Sequence, residues 1–352
     1  MTTLISPALK NYEWGDIIAL PDFTGQPRDA KPWAELWFGT HPDGQATVQT
    51  GKGVVALSDL VGELSFLVKL IAVAKPLSIQ THPTIAQARA GYERENSRGI
   101  DRAAPNRVYR DTNSKPELLC ALSEFEMLCG FAPLKQSLAL AETNGWFELA
   151  RHLKMRGLET TVRWALEQGR HKTAANLPKH LRTAGELYAN SGGIYVALLM
   201  NHVILQPGQA MFLEPGNVHS YLSGMAVEVM SSSDNVMRAA FTKKHVDLAE
   251  FFATASLVEN LPDKIVAKSK RHDAGAKILG ECEILEYEVG TTFFRVQRIM
   301  AVSAVQIQAE HEIELYLCVQ GDSGALQQGQ ACILRKHESL FLAKSSVVFR
   351  IF

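Results

Sequence analysis

Two short strands joined by a tight turn are encoded by residues 201–213, with the sequence NHVILQPGQAMFL. One apolar run ends at Leu205, Pro207 and Gly208 supply the turn, and a second apolar run ends at Leu213. Tight Pro-Gly turns between short strands are typical of an antiparallel barrel or jelly roll. This stretch therefore predicts a mainly β protein with a barrel at its core.

The same pattern extends toward the N-terminus. Residues 1–132 carry short apolar runs broken by Gly, Pro, Asp and Asn, such as GVVAL at 53–57 and FLVKLIAV at 66–73, and these runs predict strands. The exception is residues 84–98, which we predict to form a helix because Thr84 can cap its start and Gly99 follows its end.

Strand-like patterns also dominate the C-terminal part of the chain. Residues 264–352 contain runs such as LYLCV at 315–319, and KHESLFL at 336–342 resembles the strand pattern of residues 205–213. We therefore expect a second, smaller jelly roll at the C-terminus. Residues 242–254 are predicted to form a connecting helix.

Residues 133–189 differ from both flanks, because their large apolar residues recur at helical intervals among charges. The recurring residues are Leu134, Leu138, Trp146, Phe147, Leu149, Leu153, Val162, Trp164, Leu166, Leu181 and Leu187. The sequence thus predicts a jelly-roll domain formed by 1–132 and 190–250, a helical insertion of three or four helices at 133–189, and a C-terminal jelly-roll domain at 251–352.

Composition excludes several classes of protein. The 352 residues include 46% hydrophobic and 21% charged residues, which is typical of a globular protein. The formal net charge of -1 provides no basic field for nucleic acid or an anionic membrane. No apolar run approaches the ~20 residues that span a bilayer. An anionic ligand would have to be held by a local cluster of cations.

Cysteine usage points to a reducing compartment. The chain has five cysteines, an odd number, and no C-x-x-C pair. Buried free thiols are the expected form. Because the first residues also lack a basic segment followed by an apolar one, we expect a cytoplasmic protein.

Four residues form a candidate metal site: Gln80, His82, Glu117 and His219. Gln80 and His82 are two positions apart, so on a strand they project from the same face. Two nitrogens and two oxygens suit Zn²⁺ or a similar divalent ion. The absence of cysteine among the four argues against a closed structural zinc site.

The segments around these residues resemble those of the type I mannose-6-phosphate isomerase (phosphomannose isomerase) family. The members of this family are zinc-dependent enzymes with the cupin fold. The matching segments are NYEWG at 11–15, AELWFGTHP at 34–42, LSIQTHP at 77–83, KPE at 115–117, GNVHSY at 216–221 and SDNVMRA at 233–239. The resemblance implies that the first jelly roll is a catalytic cupin domain. It also implies one zinc ion per chain, with Gln80, His82, Glu117 and His219 as its ligands.

The resemblance further implies a role in carbohydrate metabolism, with interconversion of mannose 6-phosphate and fructose 6-phosphate through a cis-enediol(ate). Arg238, Lys115 and Glu228 fall on catalytic positions. Lys115 is the candidate base, because a nearby divalent cation and arginine disfavour the charged form of a lysine, and Glu228 is the rival. The positions expected to bind the sugar phosphate are Ser78, Lys69, Lys244, Tyr221 and Asp234.

Two departures from the family pattern lie close to Arg238. Ala240 replaces the usual glycine and Lys243 the usual proline, and either change can shift the segment that carries Arg238 and Lys244. An alternative is therefore a non-catalytic, metal-binding sugar-phosphate sensor on the same fold. An iron-dependent oxygenase is a weaker alternative, because such sites usually use more histidines or a facial triad. We expect a monomer or a weak homo-oligomer.

Overall fold

The computed structural model describes residues 2–169, 177–261, 266–272, 277–322 and 324–352. Strands dominate both ends of the chain, and helices cluster in the middle. The predicted architecture, mainly β with helices, is confirmed. Among the described residues, no helix has both the length and the apolar character needed to cross a membrane.

The N-terminal part contains nine strands and three α-helices. They are β1 (Thr3–Ile5), β2 (Ala8–Lys10), α1 (Ala19–Thr24), β3 (Glu35–Gly39), β4 (Thr47–Thr50), β5 (Gly53–Ala56), α2 (Leu57–Val61), β6 (Phe66–Val73), β7 (Ile79–Thr81), α3 (Ile85–Ser97), β8 (Glu117–Ala121) and β9 (Phe125–Phe131). The predicted helix is confirmed as α3: Thr84 caps it and forms a reciprocal capping box with Gln87.

The middle of the chain is helical, as expected for residues 133–189, but a further helix (Gly193–Leu199) lies in the stretch 190–250 that was predicted to belong to the first jelly roll. Its helices are α4 (Leu134–Thr143), α5 (Phe147–Glu167), a 3₁₀ turn (Lys179–Leu181), α6 (Arg182–Leu187) and α7 (Gly193–Leu199). Gly157 interrupts α5 with a φ of 73°, a conformation that favours glycine. Residues 170–176 of the predicted insertion lie outside the described residues.

The chain then returns to strands. They are β10 (Met200–Leu205), β11 (Ala210–Leu213), β12 (His219–Ser231), β13 (Met237–Ala240), then helix α8 (Leu248–Thr254), and β14 (Ser269–His272), β15 (Ile278–Leu279), β16 (Cys282–Tyr287), β17 (Val296–Ala301), β18 (Val305–Gln308), β19 (Ile313–Gln320), β20 (Ala331–Arg335), β21 (Ser339–Leu342) and β22 (Val347–Ile351). The connecting helix predicted at 242–254 is therefore shorter than expected. Asp247 is its N-cap, with a side chain that accepts from the Glu250 N–H, and the residues before Asp247 form a loop.

Strand β12 organises the first barrel because it has partners along its whole length. Its second half pairs with β6 on one side and β8 on the other. Its first half pairs with β9, and His219 pairs with Gln80 of β7. Strands β3, β11, β10 and β13 extend these pairings outward. One long strand thus belongs to both walls, and its first residue lies next to β7.

The C-terminal part forms a second pair of sheets. A seven-stranded sheet has the order β1-β20-β19-β22-β17-β16-β14, and a three-stranded sheet has the order β15-β18-β21. β1 crosses the predicted domain division, since Thr3–Ile5 pairs with Ala331–Ile333. The division into domains itself stays a prediction.

One hydrophobic core joins the two halves. Phe38 and Val68 from the first barrel belong to the same buried cluster as Leu317, Phe349 and Ile351 from the second. A separate cluster fills the interior of the first barrel and includes Met127 and Tyr221. Because the barrel walls are packed on both faces, the polar residues at one end of the interior are held in place.

Candidate metal centre and adjoining cavity

Three of the four predicted ligands converge in the interior of the first barrel. His82 directly follows β7, Glu117 begins β8 and His219 begins β12. One ligand atom from each lies within 4.8 Å of the other two, and all three residues are buried. Glu117 Oε1 is 3.4 Å from His82 Nε2, and Glu117 Oε2 is 3.5 Å from His219 Nε2. These atoms surround a space suited to one cation.

Backbone carbonyls set the orientation of both imidazoles. His82 Nδ1–H donates to Asn235 O at 2.8 Å, and His219 Nδ1–H donates to Asn217 O at 3.1 Å. Each Nε2 therefore carries the lone pair that a metal requires. Burial lowers the pKa of His219 to about 4, which keeps its ring neutral. His82 Nε2 is buried and has no hydrogen-bond partner among the described residues, so the donor set fits a divalent cation.

Glu117 is the acidic ligand of the cluster and stays charged. Burial alone would raise its pKa, but Lys115, His82 and His219 together lower it well below the usual value. Lys115 Nζ lies 3.1 Å from Glu117 Oε1, so the lysine sits at the edge of the metal site.

Gln80 reaches the same space from β7. Its amide nitrogen lies 3.3 Å from His219 Nε2, and its oxygen accepts a hydrogen bond from the Ser78 hydroxyl at 2.8 Å. Amide oxygen and nitrogen exchange places by a half-turn of the side chain, which would direct the oxygen toward the cluster. The role of Gln80 as the fourth ligand stays a prediction.

A chain of buried polar groups extends away from the metal cluster. Tyr221 OH donates to Glu228 Oε1 at 2.9 Å, and Lys69 Nζ donates to Glu228 Oε2 at 2.9 Å. Lys69 also lies 3.8 Å from Glu35, which accepts from Trp37 Nε1 at 2.5 Å. Burial disfavours the charged form of Lys69, but Glu228 and Glu35 outweigh it and raise the pKa. The ammonium group is therefore held in its charged form between two carboxylates.

A cavity of about 530 Å³ has walls that include Tyr12, Trp37, Asp234, Arg238 and Lys244. Arg238 lies on β13 and pairs in register with Gln80 of β7. Because Gln80 reaches the metal cluster, the cavity adjoins that cluster through Arg238. Within the described part of the chain, neither Arg238 nor Lys244 has an ion-pair partner. Burial lowers the pKa of both groups, and Arg238 lowers that of Lys244 further. A half-buried arginine and an exposed lysine on one cavity wall, with Asp234 as a more distant counter-charge, favour an anionic ligand.

The sequence-based candidates thus separate into two groups. Lys115, Tyr221, Glu228 and Lys69 lie with the metal cluster in the barrel interior, and Ser78 contacts Gln80. Arg238, Lys244 and Asp234 line the cavity. The roles assigned to these residues stay predictions.

Sequence reasoning missed several neighbours. Arg110 pairs with Asp234 at 3.3 Å across the cavity wall, Glu35 holds Lys69, and Asn235 orients His82. Glu35 and Asn235 lie inside two of the matching segments. Arg110 lies in a loop without any motif, so no sequence signal marked it.

The two altered positions near Arg238 are accommodated by their surroundings. A side chain at position 193 would come within 2.3 Å of Ala240 Cβ, so Gly193 leaves room for the alanine. Lys243 lies at the surface, with its Nζ 3.0 Å from Glu13. Lys243 nevertheless lines the same cavity as Arg238 and Lys244, so this departure changes the cavity wall itself.

The barrel and the buried histidine–carboxylate cluster define a metal-binding enzyme of the cupin class. Residues 3–134 match the family model of the phosphomannose isomerase type I catalytic domain. Mannose-6-phosphate isomerase from Salmonella typhimurium (strain LT2) is 30% identical, with 95% of this chain and 93% of the relative covered. The Escherichia coli (strain K12) enzyme is 29% identical, with 96% and 93% covered.

Solved structures of the same enzyme superpose over the whole chain. Zinc-bound mannose 6-phosphate isomerase has a TM-score of 0.88 at 26% identity, covering 100% of this chain and 99% of the other. The Salmonella typhimurium enzyme bound to its substrate fructose 6-phosphate and zinc has a TM-score of 0.87 at 26% identity, with the same coverage. The chain belongs to the type I mannose-6-phosphate isomerase family.

Proposed function

We propose that this protein is a zinc-dependent aldose–ketose isomerase that interconverts mannose 6-phosphate and fructose 6-phosphate. The observation that carries the proposal is the position of the His82–Glu117–His219 cluster next to β13, whose Arg238 pairs in register with Gln80 and lines a cavity together with Lys244. Relatives that match almost end to end are named mannose-6-phosphate isomerase. The metal cluster would act on the reacting oxygens of a hexose phosphate, and the cations of the cavity would bind its phosphate.

His82, Glu117 and His219 would hold the zinc ion, with the Gln80 oxygen as the fourth donor. When bound, zinc acts as a Lewis acid that stabilises negative charge on the O1 and O2 oxygens of the substrate. The protein keeps the site rigid, because both histidines are fixed through Nδ1 and Glu117 is fixed by Lys115. Such orientation of the ligands strengthens metal binding.

In this proposal Lys244 and Arg238 contact different parts of the anionic substrate. Lys244 lies six residues beyond Arg238, at the outer part of the cavity, and would hold the phosphate. Arg238 is paired in register with Gln80 and would stabilise charge that develops near the metal. Its guanidinium is a permanent cation, so it can do this at any working pH. Ser78, which contacts Gln80, and Asp234, which lines the cavity, would contact the sugar.

Lys115 is the base that the geometry favours. Isomerisation removes the proton from C2 of the aldose and delivers it to C1, so one group can take and return it. Both carboxylate oxygens of Glu228 are already hydrogen-bonded, to Tyr221 and to Lys69. Lys115 contacts one carboxylate, that of Glu117, and would accept the C2 proton through the nitrogen lone pair of its neutral form. Glu228 and Tyr221 would then keep the buried side chains beside the metal cluster in place.

The proposal can be tested with mannose 6-phosphate labelled with deuterium at C2. Proton NMR should show fructose 6-phosphate appearing with part of the label at C1, because the same base carries the deuteron between the two carbons. The remainder should exchange with water. Release of oxidised sugar products, or no change in the sugar, would contradict an isomerase.

A sugar-phosphate sensor remains the second candidate, because the segment from Arg238 to Lys244 differs from the family pattern. It would bind mannose 6-phosphate without converting it. We also propose a cytoplasmic location, supported by the five free cysteines, and a monomer or weak homo-oligomer. Gel filtration across a range of protein concentrations measures the oligomeric state.

A further inference from the structure

Asn235 lies between the metal cluster and the cavity wall. It is fully buried, in the loop that joins β12 to β13. Its backbone oxygen accepts the Nδ1–H of His82 at 2.8 Å. The orientation of one metal ligand therefore depends on where this residue is placed.

The side chain of Asn235 binds a second segment, residues 110–113. Its Oδ1 accepts from the backbone N–H groups of Arg110 at 2.7 Å and Asp111 at 3.3 Å. Its Nδ2 donates to Asp111 O and Asn113 O, each at 2.9 Å. One carboxamide thus uses both its acceptor and its donors on the same loop.

The carboxylate of Asp111 makes the reverse connection. It accepts from the Ser233 hydroxyl at 2.9 Å and from Asp234 N at 2.8 Å. It also accepts from Asn235 Nδ2 at 3.1 Å. We call this reciprocal set of contacts between residues 110–113 and 233–235 the loop clasp.

The loop clasp connects the segment that carries Lys115 and Glu117 to the segment that carries Arg238. Residues 110–113 lead directly to Lys115 and Glu117, and residues 233–235 lead to Arg238. Arg110 and Asp234 pair across it at 3.3 Å on the cavity wall. A shift of one loop against the other would move the metal ligands relative to the cations of the cavity.

We propose that Asn235 is a positioning residue that sets the metal site and the cavity in register, acting through His82 and through the 110–113 loop. The inference rests on the proposed function for the reaction, but its effect on zinc binding is independent of turnover. Partners of metal-ligating histidines typically contribute about 10-fold or more to metal affinity or activity. Displacements of about 1 Å can cost about 100-fold in rate.

A purely structural role would look different. Asn235→Ala leaves two N–H groups and two carbonyls of the loop without their partner, which lowers stability in either case. Asn201 provides a matched control. It lies on β10 and is also a buried asparagine. Its Nδ2 donates to two backbone oxygens, those of Cys129 and Asn260. Asn201→Ala removes the same chemical group from the barrel without touching the loop clasp.

The experiment compares metal-free wild-type protein with Asn235→Ala and Asn201→Ala, at a temperature well below each unfolding midpoint. Zinc affinity is measured by competition with a chromogenic chelator. kcat and KM for mannose 6-phosphate are then measured with zinc saturating. Asp111→Asn is the third variant, because it weakens the loop clasp from the other side at a partly exposed position and should fold even if Asn235→Ala does not.

We expect the zinc dissociation constant to rise about 10-fold in Asn235→Ala and by a smaller factor in Asp111→Asn. kcat should stay reduced in both at saturating zinc. Asn201→Ala should lose stability only. If the clasp variants lose stability but keep the zinc affinity and kinetics of Asn201→Ala, the proposal is wrong. If the wild type binds zinc without converting the sugar, the proposed function fails, while the zinc affinities still decide the role of Asn235.

Discussion

At the scale of single residues, three lysines lie in different surroundings. Lys115 lies 3.1 Å from Glu117, Lys69 lies between two carboxylates, and Lys244 lines the cavity. In the proposed mechanism Lys115 would transfer the proton, Lys69 would hold the interior together and Lys244 would bind the phosphate.

Lys115→Ala should abolish most turnover, because the favoured base is lost. We expect kcat to fall by about 100-fold to 10,000-fold, the usual contribution of a general base. Steady-state kinetics at saturating zinc measure the loss, and zinc affinity should be determined alongside it. Lys154→Ala, an exposed lysine on α5, is the control. Near-normal kcat in Lys115→Ala would transfer the role to Glu228.

Lys244→Ala should act mainly on substrate binding. The loss of one charge-assisted contact to phosphate is worth about 1.5–3 kcal/mol, which corresponds to at least about a 10-fold rise in KM. Inhibition by inorganic phosphate should weaken in parallel. The exposed Lys75→Ala provides the comparison, and an unchanged KM in Lys244→Ala would exclude this lysine from the phosphate site.

At the scale of elements, the helical segment is joined to the barrel partly by two stacked imidazoles. His180 in the 3₁₀ turn and His202 on β10 have ring centroids 3.8 Å apart. Burial, followed by the charge of His202, lowers the pKa of His180 to about 4, and burial lowers that of His202 against the raising effect of Glu126.

The pair should make the protein less stable in acid. The unfolded chain takes up protons near the usual histidine pKa of about 6.5, whereas the pKa of His180 in the folded protein is about 4 and that of His202 is also lowered. The free energy of unfolding should therefore fall as pH drops from about 6.5 toward 4. Urea denaturation at several pH values measures the slope, which should be shallower in His180→Asn. Equal slopes in both proteins would contradict this origin.

Elements with local signals could be predicted from the sequence, and those set by distant contacts could not. Thr84 caps the start of α3 and Gly99 follows its end, so the helix was predicted correctly from local residues. The three residues of the candidate metal site, His82, Glu117 and His219, could be predicted because each lies within a short motif. The loop at 242–247 was missed, since only the Asp247 cap shows where α8 begins.

The loop clasp could not be predicted for the same reason. Asn235 and Asp111 are 124 residues apart, and their pairing depends on how β7, β8 and β12 meet in the barrel. The pairing of β1 with β20 is more distant still. No pattern within a strand specifies which distant strand will be its neighbour.

At the scale of the whole molecule, the two barrels share one core and should unfold together. Phe349 on β22 is buried between them, so Phe349→Ala should lower the free energy of unfolding by about 3–5 kcal/mol. Thermal unfolding followed by circular dichroism should show one transition at a lower temperature. Phe341→Ala, at a half-exposed position on β21, is the matched control. Two separate transitions would show that the barrels are independent.

The dependence of turnover on zinc provides the most direct test of the proposed function. Fructose 6-phosphate formation from mannose 6-phosphate is measured in a coupled assay, first on the purified protein, then after chelation, and again after zinc is restored. We expect turnover to be lost on chelation and recovered with zinc, because His82, Glu117 and His219 converge on one cation site. A folded, zinc-loaded protein that binds mannose 6-phosphate without forming fructose 6-phosphate would contradict the isomerase and leave the sugar-phosphate sensor.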